Sequence, residues 1–223
     1  MTRRTKRSAP VPAVVLGICL LGCTGEPRAM EDGRKLVIEK LQARAAAAGW
    51  SFERDAVALF YDSSTAVPGL VYYWGVYMPR EVTDVVWVSV AADVGGKAAL
   101  ISTPAEWAAV VRKSGWAPRD ERHLIDACAE IVQTVGSRAY PDPRKPRLYR
   151  GPESLRDYPH LAERLDLTEP VVEMLSQDSA VARLWMVESG RTTQYRCRLL
   201  PWDSVRLEEV ESIPYWGLLP IGP

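Results

Sequence analysis

Asparagine is missing from this 223-residue chain, and lysine is scarce beside arginine, 6 against 22. Both biases read as the signature of a GC-rich genome before they say anything of function. Histidine occurs only twice, at His123 and His160. With no HExxH, no CxxC pair and no clustered His/Cys set, the sequence offers no zinc site, and no metal or cofactor is expected. A GxSxG elbow, an SxxK pair and a glycine-rich phosphate loop are equally missing, which removes the commonest readable nucleophile and nucleotide signatures. Excess charge of either sign is absent too: 28 basic residues balance 28 acidic ones. That is not the charge of a nucleic-acid binder.

The remaining titratable candidates are weak. His123 and Cys128 lie five residues apart, about 140° around a helix, which is poor geometry for a Cys–His nucleophile. Glu208-Glu209 and Asp120-Glu121 are adjacent acids. On a strand, neighbours face opposite ways, which is wrong for shared acid/base work. No catalytic residue is assigned.

What is present begins at the N-terminus. Arg3, Arg4, Lys6 and Arg7 form a basic head without an acid, and an apolar stretch follows from Val11 to Leu21. These are the leading parts of an export signal. Eleven residues of helix reach about 17 Å, well short of the roughly 30 Å hydrocarbon core of a bilayer. The stretch closes on Leu20-Leu21-Gly22-Cys23, which resembles the lipobox of bacterial lipoproteins. That resemblance covers residues 1–24 and implies cleavage before Cys23, diacylglyceryl transfer to its sulfur, and removal of residues 1–22 with Cys19. Thr24, where an aspartate would signal retention, implies the outer membrane. An ordinary secretory signal or an uncleaved anchor is the alternative. Without residues 1–22, 24 basic residues face 28 acidic ones.

Two cysteines then remain for a folded domain, Cys128 and Cys197. In the oxidising compartment that the lipobox implies, they are expected to pair as a disulfide. With 47% apolar content and eight tryptophans, the chain has ample material for a core.

Residues 23–33 read as a short polar tether and residues 34–223 as a globular region, with a possible subdivision near residue 117. A helix is expected over 34–48. Strands are expected over 56–61, 70–78, 82–92 and 97–102, with a turn at 93–96. Thr103, Pro104 and Glu106 form a capping box that starts the next helix. A third helix, near 120–135, turns Leu124, Cys128, Ile131 and Val135 inward. A basic, proline-rich loop fills 139–160, and short helices are expected at 161–165 and 169–175.

The strongest hairpin pairs 181–188 with 191–200 across Ser189-Gly190. A two-residue loop sets Met186 opposite Thr193, Leu184 opposite Tyr195 and Ala182 opposite Cys197, all on one face. The other face receives Arg183, Trp185, Gln194 and Arg196. A last strand is expected over 205–211. The fold class is therefore α+β, with helices packed on one face of curved antiparallel sheets. It loosely resembles the cystatin or nuclear-transport-factor arrangement.

Two features are candidates for interaction. In VYYWGVY (71–77), Tyr73 and Tyr77 share one face and Tyr72 and Trp74 the other, and such aromatics stack well on sugars or a peptide. Arg144, Lys145, Arg147 and Arg150 could meet an anionic lipid or polymer. The expectation is a membrane-anchored envelope lipoprotein, facing the periplasm, whose non-catalytic domain binds an envelope protein or a ligand. Two alternatives stand beside it: a cell-envelope enzyme, and a small-molecule carrier with a cavity in the curved sheet.

Overall fold

The computed structural model describes residues 28–80, 87–136, 146–156, 165–188, 190–200 and 204–214. Residues 1–27, with the expected signal and Cys23, lie outside these, as do Arg144 and Lys145 and all but residue 165 of the helix expected over 161–165. No described helix is long and apolar enough to cross a membrane.

The first sheet is a meander of β1 (Val57–Ser63), β2 (Leu70–Tyr77), β3 (Trp87–Val94) and β4 (Ala98–Ile101), in that spatial order and antiparallel throughout. Helix α1 (Arg28–Ala47) packs on β2, β3 and β4 through Val37, Leu41 and Ala45. It starts six residues before the expected Arg34, so the expected tether is already helical from Arg28. Two glycines allow the close approach. A methyl group on Gly75 would overlap Val37 Cγ1, and one on Gly33 would overlap the Tyr73 ring.

Helix α2 (Pro104–Arg112) and helix α3 (Glu121–Ile131) lie on the opposite side of that sheet. Helices therefore cover both faces of the first sheet, where one was expected. The capping box forms as read: Thr103 Oγ1 accepts from the Glu106 amide at 3.2 Å, and Glu106 Oε2 accepts from the Thr103 amide at 3.0 Å. Asp120 caps α3, accepting from the His123 amide at 2.8 Å, and one π turn (Val132–Gly136) ends it.

The second sheet runs β5 (Arg147–Leu148), β7 (Ser179–Glu188), β8 (Arg191–Leu199) and β9 (Val205–Pro214), and β6 (Val171–Ser176) pairs along the same edge of β7 as β5. The expected helix over 169–175 is in fact this edge strand. Val171 and Val172 favour a pleated surface, and the free edge of β7 supplies the hydrogen bonds. The hairpin register is as read, with Met186 opposite Thr193, Leu184 opposite Tyr195 and Ala182 opposite Cys197.

One apolar cluster joins the two sheets through α2 and α3. It takes Val67, Tyr72 and Ala92 from the first sheet and its loops, Trp107, Leu124 and Ile131 from the helices, and Leu184, Met186 and Leu199 from the second. This core crosses residue 117. A smaller cluster of Tyr149, Leu155, Leu167, Trp185 and Val187 covers part of the outer face of the second sheet.

Candidate functional site

Tyr73 and Tyr77 project from β2 beneath α1, and each is only 1% exposed. Neither reaches a surface where a partner could stack on it, so the ligand-contact expectation for these two tyrosines is corrected. Tyr77 instead donates its hydroxyl to the Ser51 carbonyl at 3.0 Å. Of the basic loop, Arg147 stands exposed on β5, and Arg150 is ion-paired with Asp126 of α3. The loop candidates therefore do not form one free cationic surface among the described residues.

Cys128 of α3 and Cys197 of β8 meet in the core, both fully buried and both free thiols. The expected pairing partners are adjacent, here as two thiols joined by a hydrogen bond. Burial pushes the Cys128 thiol well above the ordinary range, and the hydrogen bond and charge of Cys197 push it further.

The feature that sequence reading missed is a carboxylate in the core. Glu130 is 8% exposed on the buried side of α3. Its Oε1 accepts from the Thr65 amide at 2.7 Å, the Thr65 hydroxyl at 2.8 Å and the Ala66 amide at 3.0 Å. Its Oε2 accepts from the Ser64 hydroxyl at 2.5 Å and the Tyr72 hydroxyl at 3.1 Å. Tyr72 is held in turn by Trp107 Nε1 at 2.7 Å, and Trp116 Nε1 donates to the Ala66 carbonyl at 2.8 Å. No lysine or arginine pairs with Glu130 among the described residues. Five donors take up its acceptor sites instead, which is how a buried charge is compensated without a counter-ion. With its lone pairs engaged, the carboxylate holds the β1–β2 loop to α3. The available signal was a lone acid in the apolar run Ala127-Cys128-Ala129-Glu130-Ile131-Val132.

The second arrangement is at the surface. Where the smaller cluster stops, the outer face of the second sheet is left bare, and four arginines occupy it. Arg183 of β7 stands opposite Arg196 of β8, and one step along, Arg198 of β8 stands opposite Arg206 of β9. Glu208 Oε2 meets Arg196 Nη1 at 3.2 Å. A shallow cleft of about 280 Å³ is lined by Arg196, Arg198, Arg206, Leu207 and Glu208. Sequence reading placed Arg183 and Arg196 on this face but left out the contribution of β9. Elsewhere, Leu59, Phe60 and Tyr61 are exposed on the edge strand β1, with the Arg34 guanidinium 5.7 Å above the Tyr61 ring.

No group of three or more metal-ligating side chains converges among the described residues. No family model, no curated protein and no solved structure matches this chain.

Proposed function

We propose that this protein is a cell-envelope lipoprotein, anchored through an acylated Cys23, whose α+β domain binds a partner or ligand without transforming it. The observation that carries the reading is Leu20-Leu21-Gly22-Cys23, placed after a basic head and an apolar run and separated from α1 by only the four residues 24–27. Acyl chains, at about 0.8 kcal/mol per buried methylene, would make such an anchor effectively permanent. The short spacing would keep the domain close to the bilayer, at the periplasmic face of the outer membrane. For the binding role, the support is the bare arginine face, together with a core carboxylate whose acceptors are committed to holding a loop.

In an oxidising compartment, Cys128 and Cys197 would pass two electrons and two protons to a disulfide donor and bridge α3 to β8. Mass mapping of the native protein under nonreducing conditions reads that bridge.

The anchor is tested by globomycin treatment of expressing cells and by the intact mass of the mature chain. Accumulation of a full-length precursor, and a mature N-terminal cysteine carrying fatty acyl mass, are the expected results. An unmodified Cys23, or processing unaffected by the inhibitor, would overturn the reading.

A further inference from the structure

We propose that the bare part of the second sheet's outer face is a binding site for a compact phosphoryl-bearing anion, gripped by Arg198 and Arg206 with Arg183 and Arg196 beside them. The inference deepens the binding role proposed above and rests on it, but not on the lipid anchor.

The argument starts from register. Side chains directly opposite on neighbouring strands have Cβ atoms about 5 Å apart, and like charges set there are destabilising. This sheet carries two such pairs, Arg183 with Arg196 and Arg198 with Arg206, on adjacent rungs of one face. From strand spacing and rise, the four stems spring from a patch roughly 10 Å by 7 Å. One carboxylate touches it, that of Glu208 on Arg196. The acids next in register are Glu173, opposite Val181, and Glu211, opposite Gln194. Neither forms an ion pair with these arginines among the described residues, and Arg183, Arg198 and Arg206 have no ion-pair partner there.

Guarding of a sheet edge does not explain the pattern. Edge strands are commonly protected by charge, but Arg183, Arg196 and Arg198 sit on β7 and β8, which are paired on both sides. A merely solvated face would mix the two signs. This one concentrates guanidinium groups around a cleft.

The chemistry of the ligand follows from the donors. A guanidinium presents a planar fork that matches carboxylate or phosphate two bonds at a time. A single carboxylate would satisfy one fork and leave the others facing each other. A phosphoryl group offers several acceptor oxygens and up to two charges, so it bridges Arg198 and Arg206 together. The cleft, about 280 Å³, lies at the small end of ligand sites, which suits a phosphate, a diphosphate or a headgroup. Glu208 on the rim holds Arg196 and disfavours bulkier polyanions.

Such a group could be free or could belong to an anionic phospholipid. The test uses the full-length chain in neutral detergent micelles at low salt, with calorimetric titration of inorganic pyrophosphate and, separately, of phosphatidylglycerol doped into the same micelles. Saturable binding of either probe is expected, weakened at least tenfold in R198Q/R206Q and weakened by added salt. Pyrophosphate binding would identify a soluble ligand, and binding of phosphatidylglycerol alone would identify a headgroup. R198K/R206K keeps the charge but loses the fork, and is expected to recover only part of the affinity. Absence of binding by both probes, or equal binding by wild type and a folded R198Q/R206Q, would overturn the proposal. So would equal affinity for malonate. Acylation of Cys23, read by mass, is independent of all these outcomes.

Discussion

Glu130 Oε2 accepts the Tyr72 hydroxyl at 3.1 Å, across 58 positions of sequence, and so ties α3 to the middle of the first sheet. The same carboxylate holds the backbone of Thr65 and Ala66, so one side chain fixes both a strand and the loop that leads into it.

Glu130→Ala strands the donors of Ser64, Thr65, Ala66 and Tyr72. Hydrogen bonds to a charged group, and donors left unsatisfied in the interior, make a loss of about 3 kcal/mol the expected result. For a domain of this size that is a fall in Tm of roughly 10 °C. Glu130→Gln keeps an acceptor and should lose less. Differential scanning calorimetry of the two variants checks the order, and an alanine variant as stable as wild type would refute the clamp.

Tyr72→Phe removes one donor to Glu130 and the hydroxyl that accepts from Trp107 Nε1 at 2.7 Å. The expected cost is about 1–3 kcal/mol. Pairing it with Trp107→Phe in a double-mutant cycle should reveal a coupling on the order of 1 kcal/mol, because the two groups are in contact. Strict additivity would mean that the bond contributes nothing.

Gly75→Ala forces a methyl group into Val37 and to 2.9 Å from Leu41 Cδ1. Overpacking of this kind costs about 1–3 kcal/mol. Denaturant unfolding should show a lower midpoint with an unchanged slope, the mark of altered stability without altered compactness.

Alkaline pH should loosen the core. Burial, and then the Glu130 charge, hold the Tyr72 hydroxyl well above the usual tyrosine range. Burial, and then Glu188, do the same for Tyr195. In the unfolded chain both ionise near pH 10, so their contribution to stability is complete below that pH. It is lost as the pH rises from the unfolded toward the folded values. Tyrosinate absorbance should grow together with loss of the folded circular dichroism signal, and Tyr72→Phe should remove part of that dependence.

The thiols give a further check on the interior. Cys128 and Cys197 are fully buried, and burial raises the Cys128 pKa, so as free thiols neither should react with an aromatic disulfide reagent at neutral pH. After reduction and denaturation both should react at once. Rapid modification of the reduced native protein would contradict the packing of α3 against β8.

Much of this architecture is legible locally. The α2 cap is a contact between residues three apart, and the β7–β8 register follows from a two-residue turn and alternation of apolar side chains. Other features depend on which surfaces meet. Alternation put Tyr73 and Tyr77 on one face of β2, but only the docking of α1 decided that this face is covered. The early start of α1 belongs to the same contact, because Gly33 packs on the Tyr73 ring. Val171 to Leu175 resembled a helix until the edge of β7 gave it a hydrogen-bonding partner.

The sequence by itself determined the α+β class, the capping box, the hairpin and the inward side of Cys197, because each rests on period, turn chemistry or near-neighbour bonds. Tertiary structure alone decided that Glu130 is compensated by a loop some 65 residues away, and that Arg198 faces Arg206. The first needs donors brought together by packing. The second depends on the β8–β9 register, which shifts at Gln194/Tyr195, and a slip of one residue would turn every side chain to the other face.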